Sequence, residues 1–111
     1  MPRKFHRVRG KRKAFIRILE NNLIMKGRIQ TTEARAKELR PQVEKLVTLA
    51  KKQNLASLRL LLSRLPKISA TKLYYEVAPK YQDRAGGYLR ILKTAARRKR
   101  DGVEKAIIEF V

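Results

Sequence analysis

Residues 33–52 have the sequence EARAKELRPQVEKLVTLAKK, which carries the clearest helical pattern in the chain. Its apolar residues recur at spacings of three and four, which places them on one face of a helix: Ala36, Leu39, Val43, Leu46, Val47 and Ala50. Thr32, or Thr31, is suited to cap the first turn, and Glu33 can pair with Lys37 one turn later. The pattern predicts a helix that buries one face against the rest of a folded domain.

Shorter patterns on both sides of this helix complete a predicted order α-β-α-α-α-β-β. A helix over 13–26 ends at Gly27, and a strand over 28–32 follows it. Two more helices are predicted over 55–65 and 70–78, capped by Asn54 and Ser69. Strands over 88–96 and 103–111 flank a turn signal, Asp101-Gly102. This order predicts an α/β (α+β) domain of two layers, with helices packed on a small three-stranded sheet.

The predicted core comes from the apolar faces of these helices. In the helix over 55–65 the expected stripe consists of Leu55, Leu58, Leu61, Leu62 and Leu65. We expect these side chains to be buried in particular: Leu39, Val43, Leu46, Leu58 and Leu62. In the following helix Ala70, Leu73, Tyr74 and Val77 are expected to be buried, and Lys51 is expected to be an exposed helix cation.

The charge of the chain limits its partners. With 29 Lys and Arg residues against 9 Asp and Glu residues, the net charge is +20 and the isoelectric point is about 11.2. A charge of this size opposes compaction and favours a polyanionic partner, for which nucleic acid is the first candidate. The 111 residues predict one domain over 13–111, preceded by a basic flexible arm over 1–12.

Composition also limits the compartment. There is no cysteine, so disulfides are excluded and nothing favours secretion. No apolar run has the length of a signal peptide or a membrane span, and the charge is spread along the chain rather than on one helix face, which disfavours a membrane surface. We expect a cytoplasmic protein or one of an organelle matrix.

Candidate contacts to nucleic acid fall into three basic groups. The first covers the arm and the start of the first helix: Arg3, Lys4, His6, Arg7, Arg9, Lys11, Arg12, Lys13 and Arg17. The second lies in DRAGGYLRILK, residues 83–93, and consists of Arg84, Gly86, Gly87, Tyr88 and Arg90. The third is Arg97, Arg98, Lys99 and Arg100. No helix shows the pattern of a DNA recognition helix, so distributed basic segments fit folded RNA better.

Two explanations compete for the paired glycines of this second group. They form a tight turn that only glycine tolerates, or they let another molecule approach the backbone closely. Tyr88 is open in the same way, because a tyrosine at a strand start can stack on a base or pack beneath the helices.

Catalytic chemistry has no support in the residues. The single histidine, His6, lies in the arm, and the nine carboxylates are scattered without a partner histidine or nucleophile. No glycine-rich phosphate loop is present. We therefore expect no enzyme, no cofactor, no metal site and no small-molecule substrate.

Several longer motifs resemble a known family. They are GRIQTT at 27–32 followed by AKELR at 36–40, VEKLVTLAK at 43–51, RAGGYLRILK at 84–93 and IIEFV at 107–111. Together they are similar to the bacterial-type large-subunit ribosomal protein seventeen family over nearly the whole chain from about residue 12. Departures are a shorter basic N-terminal stretch, the absence of a C-terminal extension, and Pro41, where we expect a kink rather than a break in the helix.

The resemblance implies a structural, non-catalytic protein that binds large-subunit ribosomal RNA and touches neighbouring ribosomal proteins. It also implies a position on the solvent side of the subunit, near the exit of the polypeptide tunnel. The alternatives are a free-standing nucleic-acid compactor of the nucleoid type, which would need a dimer seam or a long basic hairpin arm, and a small nuclease, which would need metal-binding carboxylates.

Overall fold

A computed structural model of the chain describes residues 9–97, 102 and 104–111. Along the chain the elements are α1 (Arg9–Lys26), β1 (Arg28–Thr32), α2 (Glu33–Ala50), α3 (Leu55–Arg64), α4 (Lys67–Lys72), β2 (Leu89–Arg97) and β3 (Glu104–Phe110). A π-helical turn (Leu73–Val77) and a 3₁₀ turn (Ala78–Tyr81) prolong α4. The predicted order and the α+β class are confirmed.

The first helix begins at Arg9, four residues before its predicted start at 13. Its end is as predicted, since Gly27 adopts a φ of +81° that a side chain would disfavour. The Gly27 N–H donates to the carbonyl of Leu23 at 2.8 Å, which closes the last turn and lets β1 start at once.

The second helix starts as the sequence predicts. The Thr32 hydroxyl accepts a hydrogen bond from the Arg35 N–H at 3.3 Å, and Lys37 contacts Glu33 at 2.8 Å one turn apart. The helix continues through Pro41 without a break and ends at Ala50, two residues before the predicted end. All six residues of its predicted apolar face are buried.

Helix α3 starts where the sequence predicts, whereas α4 starts three residues before its predicted start at 70. Asn54 caps α3 as predicted and also forms a reciprocal capping box with Ser57. The predicted cap of α4 is wrong: that helix already starts at Lys67 after Pro66, and Ser69 lies buried inside it, where its hydroxyl donates to the Pro66 carbonyl. Pro66 occupies the cap position without a side-chain hydrogen bond to the first turn, and its carbonyl accepts the first helical bond from the Ala70 N–H at 2.9 Å.

The three strands form an antiparallel sheet in the order β1-β3-β2. In this register Glu109 of the central strand lies opposite Arg28 on one side and opposite Arg90 on the other. A register shift between Lys93 and Arg97 marks a bulge in β2. Helix α2 packs on the face formed by Ala106 and Ile108, both of which are fully buried.

The core corrects part of the predicted leucine stripe of α3. Leu61 and Leu65 are buried and Leu58 is partly buried, but Leu55 is 61% and Leu62 is 42% exposed. Residues 57, 61 and 65 follow each other at i, i+4 and i+8, so this narrow stripe faces α2 and α4 while the neighbouring leucines point aside. The predicted burial of Ala70, Leu73, Tyr74 and Val77 is confirmed.

Two adjacent leucines therefore provide a matched test of the packing. We expect Leu61→Ala to lower the free energy of unfolding by about 2–5 kcal/mol, because it empties a fully buried site. Leu62→Ala should cost less than about 1 kcal/mol, because that side chain is already 42% exposed. Urea unfolding of both variants measures the difference, and equal losses would show that α3 packs through a wider face.

Candidate nucleic-acid interface

The double glycine lies in an irregular turn between the 3₁₀ turn and β2. Gly87 has a φ of +65°, which side chains rarely adopt, whereas Gly86 lies outside this region. A Cβ added at either position would meet no atom within 4 Å. The turn therefore requires glycine at position 87, and at position 86 the protein itself leaves open space that another molecule can enter.

Lys51 holds this turn in place. Its ammonium group donates to the Arg84 carbonyl and, at 3.0 Å, to the Tyr88 hydroxyl. Its own carbonyl accepts a hydrogen bond from the Gln82 side chain at 3.2 Å. The sequence prediction of Lys51 as an exposed helix cation is therefore wrong, because its charge is used to tie the end of α2 to both sides of the turn.

Tyr88 anchors the end of the turn in the core. Its ring is buried at 1% exposure, and its centroid lies 5.5 Å from that of Tyr81. Of the two alternatives for Tyr88, core packing is the observed one, since a buried ring offers no face to a base. Hydrogen bonds from Thr48 and Lys51 lower the pKa of its hydroxyl. Arg84 remains exposed on the turn.

A second basic group lies on the sheet, at the start of β2. The Arg90 Nε donates to a carboxylate oxygen of Glu109 at 2.7 Å, and the Arg28 Nε lies 3.7 Å from the other oxygen. Both arginine side chains are more than half exposed, whereas that of Glu109 is only 12% exposed. One shielded carboxylate thus positions two guanidinium groups whose outer edges face solvent.

A similar arrangement lies at the start of α2. Lys37 and Lys93 approach one oxygen of Glu33 at 2.8 and 3.5 Å. Side-chain hydrogen bonds with Lys37 and Glu104, together with the charges of Lys37 and Lys93, lower the pKa of the Glu33 carboxyl to about 2. This carboxylate stays ionised and keeps both lysines at the surface.

The helical part of the predicted interface is separate from the sheet. Lys13 and Arg17 of α1 line a cavity of about 380 Å³, together with Lys45 of α2 and Arg64 of α3. Glu20 also lines the cavity and is only 6% exposed, and burial raises the pKa of its carboxyl to about 7 although Arg17 and Arg64 partly oppose the shift. Four cations thus surround a carboxyl that is hard to ionise.

Only some of the remaining predicted contact residues lie in the described part of the chain. Arg9, Lys11 and Arg12 lie on α1, and Arg97 lies at the end of β2. The other seven fall outside the described residues: Arg3, Lys4, His6, Arg7, Arg98, Lys99 and Arg100. Their roles stay predictions.

Sequence reasoning missed Arg28, Lys45, Lys51 and Arg64. The pairing of β1 with β3 brings Arg28 to Glu109, and no local pattern carries that register. Arg64 and Lys45 reach the cavity only because three helices converge there. The one available signal was the acid at position 109, which stands in an otherwise apolar strand end, IIEFV, and therefore calls for a cationic neighbour.

Other kinds of site find no support in the described part of the chain. None of its helices is long and apolar enough to cross a membrane. No group of three or more histidine, cysteine or acidic side chains among residues 9–97, 102 and 104–111 is placed to hold a metal ion. The fold and its exposed cations define a small basic α+β protein.

Comparison with known proteins identifies the family. The profile described as Ribosomal protein L17 matches residues 15–111. The large ribosomal subunit protein bL17 of Persephonella marina is 51% identical over 109 residues, which cover 96% of this chain and 88% of that relative. The bL17 proteins of an Exiguobacterium species and of Staphylococcus carnosus are 48% and 47% identical, covering 97% and 98% of this chain and the same shares of their own lengths.

The chain therefore belongs to the ribosomal protein L17 family, whose members are structural, non-enzymatic components of the large ribosomal subunit. The resemblance found in the sequence motifs is confirmed. The predicted absence of catalysis agrees with the character of the family.

The role of Lys51 can be tested by replacing it with a side chain of similar length and no charge. Lys51→Met should speed hydrogen exchange of the amides at 83–87 and lower the free energy of unfolding by about 1–2 kcal/mol, because it leaves the Arg84 carbonyl and the Tyr88 hydroxyl without their donor. Lys52→Met, at the exposed next position, is the control. Equal exchange in the two variants would show that the turn holds its shape without Lys51.

Glu20 predicts a pH dependence of stability. Its pKa is raised from 4.5 to about 7 on folding, so between these values the folded chain binds more protons than the unfolded chain. The free energy of unfolding should therefore fall as pH rises from 4.5 through 7. Glu20→Gln should flatten this part of the profile, whereas Glu76→Gln, at an exposed position, should not. Thermal melts between pH 4.5 and 8.5 measure it, and a profile unchanged by Glu20→Gln would contradict the assignment.

Proposed function

We propose that this chain binds and orders large-subunit ribosomal RNA as a structural constituent of the ribosome. Membership of the ribosomal protein L17 family supports assembly into the large subunit. The resemblance of its motifs further suggests contacts with neighbouring ribosomal proteins and a place on the solvent side near the tunnel exit. Its compartment is then that of the ribosomes that it joins, in the bacterial cytoplasm.

The observation that carries RNA binding is the glycine turn with the arginines around it. Arg84 stands exposed on a turn that Lys51 and Tyr88 hold in one shape, and open space lies over both glycines. Such a rigid turn allows a phosphate to come close to backbone N–H groups with an arginine beside it. Order that exists before binding does not have to be created at the moment of binding.

The sheet supplies the second contact of the proposed interface. Arg28 and Arg90 meet at Glu109, and their exposed edges form a pair of donors that suits phosphate oxygens. The turn leads directly into the strand that carries Arg90, so Arg84 and Arg90 belong to one continuous segment of chain. Backbone contacts of this kind recognise the shape of folded RNA rather than its sequence.

The basic ends of the chain are proposed to extend this interface. Residues 1–12, of which 9–12 already belong to α1, act as a basic arm on a domain that starts at 13. Residues 97–100 add four consecutive cations, of which Arg97 is the last residue of β2. With a net charge of +20, the protein gains stability from a polyanion that relieves its own repulsion.

Salt titration of binding to large-subunit ribosomal RNA tests this function. Arg84→Ala should weaken binding and reduce the slope of log K against log salt by roughly one, because one phosphate contact is lost. Arg59→Ala removes one exposed charge from α3, which lies away from the sheet, and should leave the slope unchanged. An equal slope for Arg84→Ala and the parent protein would remove the turn from the interface.

The two glycines allow a second, independent readout. Gly87→Ala should lower stability by about 1–2 kcal/mol because of its positive φ. Gly86→Ala should keep the melting temperature, since its Cβ meets nothing, and yet weaken RNA binding if RNA fills that space. A Gly86→Ala variant with parental affinity would show that the glycine serves the turn alone.

A further inference from the structure

The outer side of α1 carries a stripe of apolar and uncharged residues. Ala14, Ile18, Asn21 and Met25 follow one another at spacings of four, three and four residues, so they lie on one side of the helix. Ile18 is 57% and Met25 is 36% exposed, whereas Leu23 on the opposite side is fully buried. The spacing is that of the seam along which two helices pack in a coiled coil. Helix α1 thus has two packing faces, and the domain uses the one that faces its core.

A groove beside this stripe enlarges the exposed apolar surface. It lies between α1 and the corner at which α3 meets α4, and its volume is about 370 Å³. Ile18 lines the groove from α1, and Leu65 and Pro66 line it from the corner. Asn21 and Ser63 add uncharged polar groups. The groove therefore offers an apolar floor next to the stripe.

Helix α4 continues the surface along α1. The ammonium group of Lys72 donates to the Met25 carbonyl at 2.9 Å, which brings this side of α4 to the end of α1. Ile68 lies one turn earlier on the same side of α4 and is 70% exposed. Single exposed apolar residues are ordinary, but a group of them marks a contact site. The outer helical surface is the name used below for six residues: Ala14, Ile18, Asn21, Met25, Pro66 and Ile68.

The charges around the outer helical surface indicate the chemistry of its partner. Arg17 lies beside Ile18 and lines the groove together with Arg64, and Lys67 is exposed at the start of α4. The one acid in the sequences of α1, α3 and α4 is Glu20, which is buried on the other side of α1. Charges that flank a helical seam pair across it with charges of opposite sign. The partner should therefore carry carboxylates beside its apolar residues.

Other occupants fit this surface less well. Ile18, Met25 and Ile68 offer no hydrogen bond and no aromatic ring for a base, and a phosphate beside them would lose water without gaining a partner. A second copy would set a charge of +20 against another +20. Residues 1–8 contain three Lys and Arg residues and no acid, so the same cations repel this segment as well.

We propose that the outer helical surface docks an amphipathic helix of a neighbouring protein in the large subunit. Apolar side chains of that helix pack on Ile18, Met25 and Ile68, and its acidic residues pair with Arg17 and Arg64. The inference rests on the proposed function, assembly into the large subunit, and deepens it by assigning one protein contact. It uses none of the residues of the glycine turn or of the sheet.

Photo-crosslinking in the assembled particle tests the partner. A diazirine amino acid takes the place of Ile18 or of Ile68 in the full chain, and the chain is incorporated into large subunits. At either position mass spectrometry should locate a crosslink in a helical protein segment whose apolar residues are flanked by Asp or Glu. The same probe in place of Arg84 should react with ribosomal RNA.

The crosslinked species decides between the occupants. The proposal is wrong if neither helical position reaches such a segment, whether the probes react with RNA, with a second copy of the chain, with a protein segment that lacks acids, or with no macromolecule.

A model helix tests the same chemistry on the isolated full chain. The probe is a fluorescent helical peptide with leucines along one face and glutamates beside them. Its control has the same composition in scrambled order, so that the charge is equal and the leucines lie all round the helix. The ordered peptide should bind about tenfold or more tightly than the scrambled one by fluorescence anisotropy. Equal charge removes the general attraction of a +20 protein for acids from this ratio.

Two matched variants connect the ratio to the surface. Ile18→Gln should bring it close to one, because it removes the centre of the stripe and keeps a helix-forming residue at an exposed position. Leu55→Gln should leave it unchanged, because Leu55 is similarly exposed at 61% but lies at the start of α3, outside the surface. Thermal melts verify that both variants are folded. A parental ratio near one, or a ratio that Ile18→Gln does not lower, contradicts the proposal.

The failure of this inference can be distinguished from the failure of RNA binding. Ile18→Gln should leave the affinity for large-subunit ribosomal RNA and its salt slope unchanged, and a loss of RNA affinity would assign the surface to RNA instead. Arg84→Ala should leave the peptide ratio unchanged, since that residue belongs to the turn. An unaltered salt slope for Arg84→Ala would remove the turn from the RNA interface and leave the docking surface in place.

Discussion

Helix α2 is in contact with every layer of the domain, and the positions of the other elements depend on its buried face. Its apolar residues cover the sheet on one side and receive α1 and α3 on the other. Its first turn is fixed by the Thr32 cap at the end of β1, and its last turn reaches across to Tyr88 through Thr48 and Lys51. Because both ends are tied to strands, the helix sets the distance between the bulged end of the sheet and the glycine turn. The surfaces that carry cations thus inherit their rigidity from a single packed helix.

The protein has few acidic residues with which its many cations can pair. Nine carboxylates face 29 basic residues, so most charges cannot be neutralised within the chain. Glu109 and Glu33 each gather two basic side chains and hold them by their inner edges while the outer edges stay in solvent. An exposed ion pair of this kind adds little stability, typically below about 1 kcal/mol. Its geometry matters for the proposed RNA contact, since a guanidinium with a fixed orientation loses less entropy when it meets a phosphate.

Structural features that depend on residues close together in the sequence could be predicted. The period of α2, the glycine that ends α1 and the caps at Thr32 and Asn54 act within a few residues, and each was predicted. What failed depends on partners that are distant in sequence. Whether Leu62 is buried is decided by where α2 and α4 lie against α3, and the neighbours of Arg28 and Lys51 are decided by strand register and by a turn more than thirty residues later. The number of cations was readable from the sequence, but the sequence could not tell which of them are structural.

Two positions depart from what folding alone requires, and they depart in different ways. Gly86 has neither a positive φ nor a crowded neighbour, so the turn would accept a side chain there, whereas Gly87 needs its conformation. Glu20 is buried at a position where an apolar residue would give a more stable fold. The net charge of +20 already opposes compaction of the chain. Local choices in a natural sequence usually agree with its fold, and exceptions concentrate where another molecule sets the requirement. Free space over a backbone suits a close phosphate, and the charges of Arg17 and Arg64 offset the burial of Glu20 only in part. Gly86 therefore agrees with the proposed RNA contact at the turn beside the sheet, whereas the burial of Glu20 ties the packing of the three helices to the protonation of one carboxyl.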